Sequence, residues 1–367
     1  MDFDHLHLYV PDAKQSSSWF NQTLGFEQVA HQVTDQVCTE VLRAGSIYCL
    51  LSAPRSPSSP VAHFLQQHPP GVIDVAFRVK DVQASLERAS DHGAKILQPL
   101  QTHHDQGKTR RWGKIQGWAG LEHTVLEREG QIGWLPLNGT DSPLEFSLPK
   151  EQGQSHPSML TEIDHAVLNV GREHLSRVVQ WYQEVMGFQT QRAFDIQTDH
   201  SALRSEVLTH PQGQAKFPIN EPASANSQVQ EFLDANRGPG IQHIALRTTD
   251  IIKAVAQLRA AGLSLLEIPR SYYQQLRQQF EGHYPDLNWA GIADQQILVD
   301  VEATPSTGIL MQAFTQPIFT QPTLFLEIIE RQGLAQGFGQ GNFLALFQAI
   351  EREQMKRGTD RSGNGVC

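Results

Sequence analysis

The sequence predicts an α+β fold made of duplicated strand–helix–strand–strand–strand modules, closed into two cupped, barrel-like sheets. Two internal echoes carry that expectation. Asp4-His5-Leu6-His7-Leu8-Tyr9-Val10 returns as Asp164-His165-Ala166-Val167-Leu168-Asn169-Val170, and each is followed by an aromatic-rich stretch ending in Gly-Phe, at Gly25-Phe26 and Gly187-Phe188. Further on, Gly71-Val72-Ile73-Asp74-Val75-Ala76-Phe77-Arg78 with Asp81 matches Gly240-Ile241-Gln242-His243-Ile244-Ala245-Leu246-Arg247 with Asp250. Repeats this long denote a duplicated module.

Each half opens on an alternating apolar strand that carries the Asp-His pair. Amphipathic helices are expected over Ala13–Thr23 and Glu173–Val185, and the glycine after each suits a left-handed C-terminal cap. In the second echo, Val72–Val79 and Ile241–Thr248 read as strands, Val82–His92 and Ile251–Ala261 as helices, with Gly93 and Gly262 just beyond. Such units pair edge to edge, and alternate strand residues then line the concave face. Ser147–Pro157, with Pro149, Gly153, Pro157 and no apolar period, reads as a linker. It divides the chain into a structural, metal-free unit over 1–150 and a catalytic unit over 158–357. A disordered tail is expected over 358–367. Phe343–Met355 reads as a helix behind the glycine-rich Gly337-Phe338-Gly339-Gln340-Gly341, the arrangement of a gating helix on a hinge.

Composition narrows the class. The 367 residues are 39% hydrophobic and 19% charged, as in globular proteins, and suffice for a core in each half. The net charge of −10 argues against nucleic acid and anionic membranes as partners. No apolar run approaches the roughly 18 residues of a membrane helix. The acidic start enters the first strand at once, which leaves no room for a signal peptide. Cys38, Cys49 and Cys367 are an odd trio without metal spacing, as expected of a reducing cytoplasm.

The chemistry lies where the two halves differ. His165 and His243 occupy equivalent strands of the second half's two modules. Glu327 sits in the apolar strand Leu324-Phe325-Leu326-Glu327-Ile328-Ile329, where an unpaired carboxylate would cost several kcal/mol unless it met a cation. Two imidazoles and one carboxylate around a metal form the facial triad of non-haem Fe(II) oxygenases. The first half has His5, Asp74 and Thr124 at the corresponding positions, so it lacks one histidine and the carboxylate.

The second half resembles the 4-hydroxyphenylpyruvate dioxygenases, of the vicinal-oxygen-chelate superfamily. The phrases that carry the resemblance span most of 160–357, among them Pro218-Ile219-Asn220-Glu221-Pro222, Ser271-Tyr272-Tyr273, Gly308–Thr315 and Gly337–Phe343. The first half resembles the family in fold alone. The resemblance implies His165, His243 and Glu327 as Fe(II) ligands. It also implies Ser205, Asn220, Gln228, Gln242 and Gln312 as polar residues of a substrate pocket, with Phe314, Phe325, Asn342 and Phe343 completing its wall. The implied reaction converts 4-hydroxyphenylpyruvate and O2 to homogentisate and CO2, in a homodimer or larger homo-oligomer. 4-Hydroxymandelate synthases share substrate and iron, and Pro218 with the bulky Phe325 resembles the dioxygenases more. An extradiol catechol dioxygenase and a non-catalytic binding protein of this fold are the other readings.

Overall fold

The computed structural model describes residues 1–105, 108–128, 133–137, 143–146, 158–198, 201–301, 308–333 and 335–363. The expected linker over 147–157 and the last four residues lie outside these. Strands are numbered in chain order. The first half comprises β1 (Asp2–Tyr9), β2 (Glu27–Val33), β3 (Val37–Ala44), β4 (Ile47–Pro54), β5 (Gly71–Arg78), β6 (Ile96–Asp105), β7 (Lys108–Gln116) and β8 (Glu122–Leu126). Two short strands, β9 (Trp134–Leu135) and β10 (Leu144–Glu145), follow. The second half comprises β11 (Leu160–Asn169), β12 (Gln189–Gln197), β13 (Ala202–Thr209), β14 (Lys216–Pro222), β15 (Gly240–Thr248), β16 (Leu298–Val301), β17 (Ile309–Phe314) and β18 (Phe325–Gln332).

Each half is one eight-stranded sheet, in the orders β2-β3-β4-β1-β5-β8-β7-β6 and β12-β13-β14-β11-β15-β18-β17-β16. The orders are identical, so the repeat in sequence is a repeat in topology. In each sheet the opening strands of the two modules run antiparallel at the centre, β1 on β5 and β11 on β15. The helices that follow those strands are α1 (Ala13–Leu24), α3 (Val82–Asp91), α4 (Leu175–Met186) and α6 (Ile251–Ala260). They match the expected spans to within two residues.

Local chemistry sets these boundaries. Gly25 and Gly187 close α1 and α4 at φ +72° and +78°, where a side chain would be strained. Asp81 and Asp250 cap α3 and α6, accepting from the backbone N–H of Ala84 and Lys253. A second acid, just past β8 or on β18, reaches each of those helix starts. Glu127 accepts from the Val82 N–H at 3.0 Å, and Glu330 accepts from the Ile251 N–H at 2.7 Å. The sheets pack through one continuous apolar core to which both halves contribute. Within that interface, buried His123 places Nε2 2.9 Å from the Tyr182 hydroxyl of α4.

Both halves also carry a helix before their second opening strand, α2 (Pro60–Gln67) and α5 (Gln228–Asn236), and beyond the repeat stand α7 (Arg270–Phe280), α8 (Trp289–Asp294) and α9 (Phe343–Gly363). The terminal helix thus runs on past Met355, where its apolar spacing ends, and continues through 358–363.

The register shows how the first half holds its buried carboxylate. Asp74 stands opposite Glu122 on β8, and two residues on Thr124 stands opposite Ala76. Across β7, Lys114 pairs with Thr124 as Phe314 pairs with Glu327 in the second half. The Lys114 ammonium lies 2.9 Å from Asp74 and 2.7 Å from Glu122, and Thr124 donates its hydroxyl and backbone N–H to Asp74. Burial alone would raise the Asp74 carboxyl, but Lys114, His5 and Thr124 outweigh it and hold the group well below the usual carboxylate range. A lowered carboxyl stabilises the fold above its unfolded-state value, and that contribution is lost as pH falls through the folded value. Lys114→Met, which strands Asp74 without its cation, should therefore cost about 3–5 kcal/mol at neutral pH. Urea unfolding should show the gap between variant and wild type narrowing as the solution is acidified. Equal stability at neutral pH would show that the pair contributes nothing.

Candidate metal centre

Three strands bring the expected ligands together. His165 lies on β11 opposite Ala245 of β15, and Glu327 on β18 lies opposite the same alanine from the other side. His243 is two residues from Ala245, hence on the same face of the strand. The alanine methyl leaves space where a larger side chain would intrude. One ligand atom from each of His165, His243 and Glu327 lies within 4.8 Å of the other two. His165 Nε2 is 3.2 Å and His243 Nε2 3.6 Å from Glu327 Oε2. Glu327 is only 1% exposed, so its charge is withdrawn from water.

The surroundings fix which atoms face the centre. Gln312 on β17 donates Nε2–H to Glu327 Oε1 at 2.8 Å, which leaves Oε2 toward the imidazoles. The His165 Nδ1–H donates to Asp164 Oδ1 at 2.9 Å, and Arg331 holds both oxygens of that carboxylate at 2.7 Å. This carboxylate–histidine arrangement orients a metal ligand and selects its tautomer. Burial alone would lower the His165 pKa, but Glu327 and Asp164 outweigh it and raise it. His243 is held well below its ordinary value by burial and by the neighbouring His165. It is therefore neutral and keeps its lone pair free. Its Nδ1 has no hydrogen-bond partner among the described residues, and its ring stacks on Phe325 at 4.8 Å between centroids.

The centre opens into a cavity with about 80 Å³ of accessible space. All nine other residues named from the sequence line it: Ser205, Asn220, Gln228, Gln242, Gln312, Phe314, Phe325, Asn342 and Phe343. Phe314 and Phe325 stand 6.4 Å apart at 66°, one side of an aromatic slot. The terminal helix covers the cavity with Phe343, Leu346, Phe347 and Ile350. Its Glu351 is buried and accepts from the hydroxyls of Thr198 and Ser201 at 2.5 and 2.6 Å, which ties the helix to the β12–β13 turn.

Several wall residues were not singled out from the sequence. Phe194, Ile196 and Leu203 come from β12 and β13, whose outward faces are polar enough to mask the pattern. Phe338 packs its ring 5.5 Å from His165. Arg331 on β18 finds its partner Asp164 on β11, two strands away across β15, which no local pattern marks.

The comparisons with known proteins agree with this geometry. The model of the glyoxalase/bleomycin resistance protein/dioxygenase superfamily matches residues 2–111 and 162–294. An uncharacterised protein of Synechocystis is 36% identical over 359 residues, spanning 96% of this chain and 97% of its own length. The 4-hydroxyphenylpyruvate dioxygenase of Coccidioides posadasii is 35% identical over 386 residues, spanning 97% of this chain and 94% of its own. The chain belongs to the 4-hydroxyphenylpyruvate dioxygenase family. A mutant 4-hydroxymandelate synthase from Streptomyces coelicolor has the same fold, with a TM-score of 0.82 at 27% identity over 96% of this chain and 98% of that one. The expected α+β architecture of paired cupped sheets is that of these relatives.

The residues fit a metal cofactor of this family. The donor set is two imidazoles and a carboxylate, and the carboxylate is buried with no lysine or arginine among the described residues that line the cavity. Glu327→Ala should abolish tight binding of divalent metal in equilibrium dialysis while the fold persists, because it removes a ligand and a buried charge together. Retained stoichiometric binding would refute the ligand set. Below the raised pKa of His165, metal must displace a proton there. Affinity for the metal should therefore fall as pH drops through that value, read by the same dialysis across an acidic series.

Proposed function

We propose that this chain is an Fe(II)-dependent dioxygenase converting 4-hydroxyphenylpyruvate and O2 to homogentisate and CO2, with His165, His243 and Glu327 as the iron ligands. The observation that carries the reading is the buried Glu327 carboxylate, faced by two imidazoles at the floor of an aromatic cavity. Bound there, Fe(II) supplies the oxygen and redox chemistry, while the protein supplies geometry and a dry pocket.

The cavity suits an anionic aromatic keto acid. Among the described residues its wall contains no lysine or arginine, so the partner for a substrate carboxylate would be a metal held at the floor. Phe314, Phe325 and Phe343 offer faces between which a phenol ring can lie. Ser205, Asn220, Gln228 and Gln242 are the few polar groups that can hold a phenol hydroxyl or a keto oxygen in register. Asn220 is steadied from behind, donating to the buried Asn169 side chain at 3.3 Å. The aromatic side chains and the terminal helix exclude water, so that a reactive species formed inside attacks the ring and is not quenched by solvent.

Among the described residues no helix is long and apolar enough to cross a membrane. Cys38 and Cys49 are free thiols, in keeping with a reducing cytoplasm, and a homo-oligomer is the assembly usual for this family.

The fold neighbour among 4-hydroxymandelate synthases supports a second reading, in which the same substrate is oxidised at its benzylic carbon. Anaerobically iron-loaded protein given 4-hydroxyphenylpyruvate and O2 should release homogentisate and CO2, identified by mass spectrometry. Hydroxymandelate as the main product would replace the first reading with the second, and absence of O2 uptake would exclude both.

A further inference from the structure

We propose that Tyr272, on a helix outside the cavity, is a positioning residue for the metal-binding carboxylate of Glu327. It acts through a hydrogen-bonded chain of fixed direction, Val299 to Tyr272 to Asn342 to Gln312 to Glu327. The inference rests on the metal reading of Glu327 and extends it outward.

Consider the chain from its inner end. A carboxylate can only accept, so the Gln312 amide must turn its NH2 to Glu327 Oε1 at 2.8 Å. Gln312 Oε1 is then an acceptor, and Asn342 donates Nδ2–H to it at 2.8 Å. That leaves Asn342 Oδ1 as an acceptor, 3.0 Å from the Tyr272 hydroxyl, which must donate. At the outer end the phenol proton has two acceptors in reach, Asn342 Oδ1 at 3.0 Å and the Val299 carbonyl at 3.2 Å, and the nearer is Asn342. The backbone N–H of Val299 donates to the Tyr272 oxygen at 2.9 Å, and a backbone donor cannot be reversed. A phenol can accept from Val299 on one side and donate to Asn342 on the other, as this link requires. Burial pushes the Tyr272 phenol up to about 12, so the proton stays in place. Flipping either amide would set acceptor against acceptor.

Two further features support a role for this chain in the centre. Tyr272 belongs to α7, which together with α8 lies between α6 and β16, whereas four residues join α3 to β6 in the first half. The helix that carries the phenol is therefore found in the half with the ligand set and is missing from its copy. Gly339 has φ +77°, and a Cβ there would collide with the Gln312 side-chain carbonyl. The backbone before α9 is thus shaped around the middle of the chain. With Oε1 of Glu327 taken by Gln312, the carboxylate presents one oxygen, Oε2, to the imidazoles.

The neighbouring residue provides a control. Tyr273 is also buried, but its hydroxyl has no hydrogen-bond partner among the described residues. The test titrates full-length metal-free protein with Co(II), following its visible absorption bands, and adds melting curves without metal. Tyr272→Phe should weaken Co(II) binding on the order of tenfold, as loss of an outer-shell partner does, and change the band pattern. Tyr273→Phe should leave both at wild-type values. Asn342→Asp breaks the chain at its middle, since a carboxylate cannot donate to Gln312. Combined with Tyr272→Phe it should weaken binding no further than the worse single variant. Wild-type affinity and spectrum in Tyr272→Phe would overturn the proposal, as would fully additive losses in the double variant. If the wild type itself bound no Co(II), the metal reading would fall first, so the two failures are distinguishable.

Discussion

Everything at the centre of the second half depends on one electrostatic constraint, a carboxylate placed where water cannot solvate it. Glu327 is buried on an inner strand, and among the described residues its polar partners are an amide and two imidazoles. Without a cation that arrangement is costly by several kcal/mol. The duplicated half met the same constraint with different material. There the buried carboxylate is Asp74, and the cation is the Lys114 ammonium, delivered from the strand position that Phe314 fills in the second half. A covalently attached cation closes the first centre permanently. With a phenylalanine at that position and the acid on β18, the second half has a buried carboxylate between two imidazoles that suits a metal ion, and beside it a slot for a ring.

The support behind the ligand is older than the ligand's role, in the sense that both halves have it. In the first half Arg128 grips Asp4, whose Oδ1 accepts from His5 Nδ1–H at 2.7 Å, and donates to the Trp134 carbonyl at 3.1 Å. In the second, Arg331 grips Asp164 and donates to the Gly337 carbonyl at 2.6 Å. Each guanidinium also stacks on an aromatic ring of the segment it holds, Trp134 or Phe338. The clamp belongs to the fold: it fastens the first strand of a half to the chain leaving its last strand. In the second half that departing chain becomes the glycine-rich entry to the terminal helix. The same arginine thus orients His165 and anchors the cover of the cavity.

How far the sequence disclosed this follows from the range of each interaction. Strand and helix order were readable because the repeat compares each element with its own copy, and Gly25 and Gly187 mark their helix ends by local backbone geometry alone. His165, His243 and Glu327 were readable because a polar residue in an apolar strand is conspicuous. Lys114 was not, since only the β7–β8 register carries it to Asp74, and a lysine in an alternating strand looks solvated. Helix α7 left an apolar spacing of its own, Tyr272 or Tyr273 with Leu276 and Phe280, and was passed over as a phrase of resemblance. The bond from Tyr272 to Asn342 joins residues 70 positions apart, and no local pattern encodes such a pairing.

The halves therefore differ in a coherent way. Relative to the copy that closes itself with lysine, the second half adds the helices between α6 and β16, the amide on β17, and the covering helix after β18. These additions meet at Asn342, which touches Gln312 on one side and Tyr272 on the other. A helix that covers a cavity by apolar contact alone could settle in many rotational positions. Held by directed hydrogen bonds at Asn342 and by Glu351 at the β12–β13 turn, its start and middle are fixed in register with the carboxylate below. The closed cavity and the oriented ligand are then two ends of one hydrogen-bonded structure, and a change in either is felt at the other.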